Sequence, residues 1–215
     1  MSDQLYLSTV EGPHTTQPVA EHKPEAPERV LILLHGRGGV SWPVLQWGAT
    51  HLPQAWVMAP QAMNNTWYPE RFMEPQGDNQ PYLASALAVV DTLVLEAIRH
   101  GCGKDQIVIG GFSQGACLAA EYLKRHPGPY AGGVIMSGGL IGTDAEVRER
   151  VAGDMAGTPM YIGCDENDPH IPWGRVQETI AYFDTFGADV HMGKYQSLGH
   201  TIHADAVKFV QAMAA

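Results

Sequence analysis

An α/β domain, with a mostly parallel sheet and helices on both faces, is the fold class this sequence predicts. Short, nearly continuous apolar runs alternate along the chain with longer stretches of helical apolar spacing. The runs are strand-sized and stop at Gly, Pro or polar residues, as buried parallel strands do. The 215 residues, 45% hydrophobic and 17% charged, suffice for one core of this kind. Strand alternating with helix means βαβ units joined by right-handed crossovers.

At the N-terminus, "QLYLSTV" (4–10) alternates apolar and polar residues and is expected as an antiparallel edge strand. The Pro-rich stretch 13–27 is expected as an exposed loop. "RVLILLHG" (29–36) is a first buried strand, closed by Gly36, and "AWVMAP" (55–60) is a second. "YLASALAVVDTLVLEAIRH" (82–100) spaces its apolar residues for a core-facing helix and stops at Gly101. "QIVIGGF" (106–112) is a third strand, followed at once by the helix "SQGACLAAEYLKRH", which stops before Pro127. "AGGVIMSG" (131–138) and "PMYIGC" (159–164) are further strands. "WGRVQETIAYFDTFG" is a helix stopped by Gly187, "DVHMGKY" (189–195) a candidate sixth strand, and "HADAVKFVQAMAA" a closing helix. There is no internal repeat and no linker, so residues 1–215 read as one domain. The segment 61–81 is long and irregular, yet it holds Trp67, Tyr68 and Phe72. Its length points to function and its aromatics point away from disorder. It is expected to wall a substrate pocket; the plainer reading is a small apolar cluster under the loop.

The formal net charge of −10 repels phosphate backbones and anionic membranes, which argues against nucleic acid as a partner. No apolar run is long enough for a membrane span, and the N-terminus lacks the pattern of a signal peptide. Cys102, Cys117 and Cys164 are too few and too scattered for a disulfide framework or a metal knuckle. A soluble protein of a reducing compartment, the cytoplasm, fits these features, and a homodimer is compatible with them.

Chemistry enters at Gly111-Phe112-Ser113-Gln114-Gly115, a G-x-S-x-G pattern between a strand and a helix. That context suits a sharp elbow that lifts a serine hydroxyl above the sheet. Ser113 could instead be a plain helix N-cap, since Ser is favoured there. A cap needs neither flanking glycines nor partners elsewhere, and here both occur. Asp165, Glu166 and Asp168 follow one predicted strand; His200 and His203 follow the next. The order Ser, Asp, His is the one this elbow uses. The Gln114 N–H, at the helix start, can face a developing oxyanion. The Gly-rich turn of "LLHGRGG" (33–39) offers a second donor, from Arg37 or a neighbour. His170, His200 and His203 with Asp165 and Asp168 also allow a metal cluster, but the elbow already explains why such residues converge. His35 is expected to shape its loop through backbone bonds, Cys117 to lie in the core, and His203 to cap or line the site.

"LLHGRGG", "GGFSQGA", "DPHIP" and the Gly199-His200 pair together resemble the α/β-hydrolase branch that contains phospholipase/carboxylesterases and acyl-protein thioesterases. The likeness runs from about Arg29 to the C-terminus. The resemblance implies a catalytic Ser113–Asp168–His200 triad, with the backbone N–H groups of Arg37 and Gln114 as oxyanion hole. It implies an active-site loop carrying the Trp67–Tyr68 pair; Phe72 and His170 complete the candidate substrate-binding residues. His170 stands where the branch often has an apolar residue, and the chain has no evident acyl-tunnel signature. The implied activity is hydrolysis of carboxylic esters of small or short-acyl substrates, with acyl thioesterase or lysophospholipase as alternatives. A non-catalytic ligand-binding module is the alternative of another class. No metal or organic cofactor is required.

Overall fold

The computed structural model describes residues 7–213. Strands β1 (Val19–His22), β2 (Arg29–Leu34), β3 (Ala55–Pro60), β4 (Ile107–Phe112), β5 (Gly132–Met136), β6 (Pro159–Asp165) and β7 (Asp189–Tyr195) form one sheet in the order β1-β3-β2-β4-β5-β6-β7. β1 runs antiparallel to β3, and every other pairing is parallel. The helices are α1 (Ser41–His51), α2 (Tyr82–Arg99), α3 (Gln114–Arg125), the short α4 (Asp144–Arg148), α5 (Trp173–Thr185) and α6 (Ala204–Ala212).

The apolar runs are continuous because both sheet faces are covered. Val30, Ile32 and Leu34 of β2 join one cluster with residues of α2, α3 and α5. Leu31 and Leu33 point the other way, to Val44 and Leu45 of α1 and Ala206 and Val210 of α6. All five β2 residues are fully buried. Burying such a side chain stabilises by about 1.5–3 kcal/mol, so neither face of the strand tolerates a polar residue.

Two expectations at the N-terminal end are corrected. Of the strand expected over 4–10, residues 4–6 lie outside the described part and the rest form a turn, where the Leu7 N–H donates to the Gln17 carbonyl at 3.2 Å. The antiparallel edge strand is instead β1, inside the stretch expected as a loop, and it pairs Val19 with Pro60 through His22 with Val57. An edge strand needs only one covered side, so Pro18 and Pro24 can flank it without breaking a ladder. α1 is an addition. Pro43 lies in its first turn, where proline is tolerated, and Gly48 interrupts its apolar spacing.

The topology brings four loops to one edge. The chain leaves β2 at His35, β4 at Ser113, β6 beside Asp168 and β7 ahead of His200, all at the carboxyl ends of parallel strands, where ligand sites form.

Candidate active site

Ser113 sits between β4 and α3 with φ 55° and ψ −120°. A non-glycine residue there costs about 1–3 kcal/mol, and its hydroxyl makes no capping bond to offset that. The cap reading therefore fails, because capping needs no such backbone. The turn is possible because Gly115 and Gly111 let backbones touch. A Cβ on Gly115 would overlap the Leu34 carbonyl, and one on Gly111 would meet Gly115 at 2.5 Å. The Ser113 N–H donates to the Met136 carbonyl at 3.0 Å, which holds the elbow against β5.

His200 Nδ1 lies 2.7 Å from Asp168 Oδ2. The other oxygen of Asp168 accepts the His170 N–H at 2.8 Å and the Ile171 N–H at 3.0 Å. Burial opposes its charge, but the bonds from His200 and the two N–H groups outweigh it and hold the carboxyl below its ordinary range. Asp165 does a different job. Its carboxylate accepts the N–H of Asn167 at 2.8 Å, of Gly199 at 3.0 Å and of Leu198, so it fastens the loop that carries His200. His200 is flanked by the Phe112 ring at 4.8 Å and by the His170 ring, edge-on, at 4.9 Å. His203 is buried, stacked on Tyr195 at 4.0 Å, and is absent from the cavity wall. Among the described residues no cluster of three or more metal-ligating side chains forms.

A cavity of about 730 Å³ lies over these groups. Ser113 and His200 both line it, although no hydrogen bond joins their side chains among the described residues. Such bonds are often long before substrate binds. Gly36, Arg37 and Gln114 line it too, as do Tyr68, Phe72 and His170. The Gln114 N–H opens a helix and so has no intrahelical partner. The Arg37 N–H also has none among the described residues, whereas the next two N–H groups, of Gly38 and Gly39, are taken by the Asn65 and Gly36 carbonyls.

Trp67 does not reach the cavity, which corrects its place among the substrate-binding residues. It is fully buried beneath the loop, its indole N–H donates to the His35 carbonyl at 2.8 Å, and its ring lies between His14 and His35. Its neighbour Tyr68 faces the cavity instead. Two tethers of the loop were not evident in the sequence. The buried Gln114 side chain accepts the Trp67 N–H at 3.0 Å and donates to the Tyr68 carbonyl at 2.8 Å. The Arg37 guanidinium donates to the Pro69 carbonyl at 2.8 Å and the Glu70 carbonyl at 2.6 Å. His35 shapes the loop as expected, accepting the Ala62 N–H at 3.1 Å.

Comparison with known proteins supplies the lineage. The family model described as phospholipase/carboxylesterase matches residues 15–214. The chain belongs to the phospholipase/carboxylesterase family. Among solved structures of this family, a phospholipase/carboxylesterase from Dyadobacter fermentans is 36% identical, with a TM-score of 0.83 over 92% of this chain and 95% of that one. Acyl-protein thioesterase 1 of Cryptococcus neoformans is 23% identical over 176 residues, 74% of each protein. Acyl-protein thioesterase 1 of Kluyveromyces lactis is 25% identical over 121 residues, and that match covers 53% of its length. Membership of the phospholipase/carboxylesterase family thus accounts for the α/β-hydrolase fold.

Proposed function

We propose that the protein is a serine esterase that cleaves carboxylic esters of short acids through an acyl-enzyme. The observation that carries this reading is a serine on a strained elbow facing one cavity with a carboxylate-bonded histidine. In the proposed cycle Ser113 Oγ attacks the acyl carbonyl and His200 Nε2 takes its proton. Asp168 keeps the proton of the resting imidazole on Nδ1 and steadies the imidazolium. The N–H groups of Arg37 and Gln114 receive the oxyanion. His200 then protonates the leaving alcohol, and water repeats the sequence on the acyl-enzyme. All these groups come from one chain, so monomer and homodimer serve equally, and the three free cysteines suit the reducing cytoplasm.

Short acids are favoured because the wall beyond Ser113 is made by Tyr68 and Cys117, both almost wholly buried. The same acyl-enzyme chemistry acts on thioesters, and the acyl-protein thioesterases among the relatives favour that as the second reading. Replacing Ser113 by Ala should lower kcat on p-nitrophenyl acetate and butyrate by about 10⁴- to 10⁶-fold. Wild-type turnover in that variant sinks the mechanism.

A further inference from the structure

Asp168 Oδ2 has a second partner besides His200. It lies 3.6 Å from Sγ of Cys164, within hydrogen-bond reach for the larger sulfur atom. Cys164 is the last residue but one of β6, and its side chain turns with that of Ile162 into the apolar cluster under α3 and α5. The residue is fully buried, and so is the Asp168 side chain. Burial pushes the Cys164 thiol up to about 12, whereas Asp168 is held below its ordinary range. The thiol is therefore the donor and the carboxylate the acceptor. Oδ1 receives the His170 and Ile171 N–H groups, and Oδ2 receives His200 Nδ1 and the thiol, so both oxygens are fully used. Packing alone asks only for a small apolar side chain at this place on β6. The thiol adds one weak donor, and that donor is aimed at the carboxylate that holds His200.

We propose that Cys164 is a positioning residue for the reaction: its thiol fixes Asp168 Oδ2 toward His200 and sets the pH at which His200 becomes a free base. The proposal rests on the serine esterase reading above. Two donors on one oxygen compete for the same charge. An S–H bond to an ionised carboxylate in a dry place is stronger than one between neutral groups. While it is made, Asp168 stabilises the imidazolium less than a carboxylate with a free lone pair would. His200 then stays neutral, and able to take the Ser113 proton, to lower pH. Other titratable groups face this pair. His170 lies edge-on to the His200 ring, and Asp165 fastens the His200 loop. The buried His203 is near Asp165, Asp168, Asp205 and His200. Lys194 of β7, level with Cys164, is taken up by Glu166 at 2.6 Å. All of them remain in the variants below, so the difference between variants reports the thiol.

The test is the acid limb of the kcat/KM profile on p-nitrophenyl acetate, which reports the free protein's base. It is measured for the wild type, Cys164→Ala and Cys164→Ser. Alanine removes the donor; serine is of similar size and keeps one, with a shorter reach. The midpoint of the limb is expected to rise by about half a pH unit in Cys164→Ala, the scale of one weak hydrogen bond to a charged group. Cys164→Ser is expected to stay closer to the wild type. An unmoved limb in Cys164→Ala overturns the proposal. Equal displacement in both variants overturns it too, because lost volume rather than the lost donor would then be the cause. If neither variant folds, the infrared S–H stretch decides. Asp168→Asn turns an amide N–H toward the thiol, so one S–H band is expected at lower frequency in the wild type than in that variant; identical bands overturn the bond. Wild-type hydrolysis with an unmoved limb rejects the role of Cys164 and leaves the esterase standing; no wild-type hydrolysis rejects both.

Discussion

Asp168 shows how much one side chain decides. One oxygen holds His200 and the other receives two backbone N–H groups, so the carboxylate is fixed before it acts. Asp168→Asn keeps the shape but offers an amide to His200 Nδ1, which selects the wrong tautomer. Its kcat on p-nitrophenyl acetate should fall by about 10⁴-fold with little change in KM. A loss below tenfold would assign Asp168 to structure alone. The sequence pointed to Ser113 through its strand-to-helix motif, but left Asp165, Glu166 and Asp168, and His200 and His203, as candidates after the later strands; the family resemblance alone singled out Asp168 and His200. Trp67 was misplaced because its loop has no period. Only the fold determines which of two adjacent aromatics turns down to the His35 carbonyl and which faces the cavity. The side-chain role of Gln114 was invisible for a different reason. Its partners lie 46 to 48 residues away, in a segment without regular structure.

At the scale of elements, the buried parallel strands were legible because two covered faces demand continuous apolar runs. α1 was not, because Pro43 and Gly48 break the helical pattern that tertiary packing then overrides. β1 was hidden by prolines that an edge strand can accept. The elbow, the turn after β2 and the aromatic loop act as one unit through Gln114 and Arg37. Gln114→Ala retains the backbone N–H yet frees the Trp67 and Tyr68 backbones. It should lower kcat/KM on short esters by about tenfold or more, since small misplacements near the reacting atoms are costly. Unchanged kinetics in Gln114→Ala would show that the backbone alone positions this wall.

For the whole molecule, two buried histidines tie the core to the loop. His14 Nδ1 accepts the Met63 N–H at 3.1 Å, as His35 Nε2 accepts that of Ala62. Burial lowers the pKa of both below the ordinary 6.5, only partly offset by their bonds to the Trp67 and Gly36 carbonyls. A histidine lowered on folding contributes stability that is complete above 6.5 and is lost as pH falls through the lowered value. The Tm should therefore be level above pH ~7 and fall as the pH drops toward ~5. Thermal melts across that range check it, and a Tm that holds or rises on acidification contradicts it. Residues 61–81 were expected to be ordered from their aromatics, and they are; His35 was expected to make backbone bonds, whereas His14 gave no sign, because a lone His in a Pro-rich stretch carries no pattern.

The tethers from Arg37 and Gln114 have a kinetic meaning. The two residues proposed to receive the oxyanion also grip, with their side chains, the segment that walls the substrate. That segment therefore cannot swing aside as a lid while the reacting geometry stays intact. In the proposed esterase, selection then falls at entry, by fit to a wall already in place, rather than in a closing step that a poor substrate could fail to trigger.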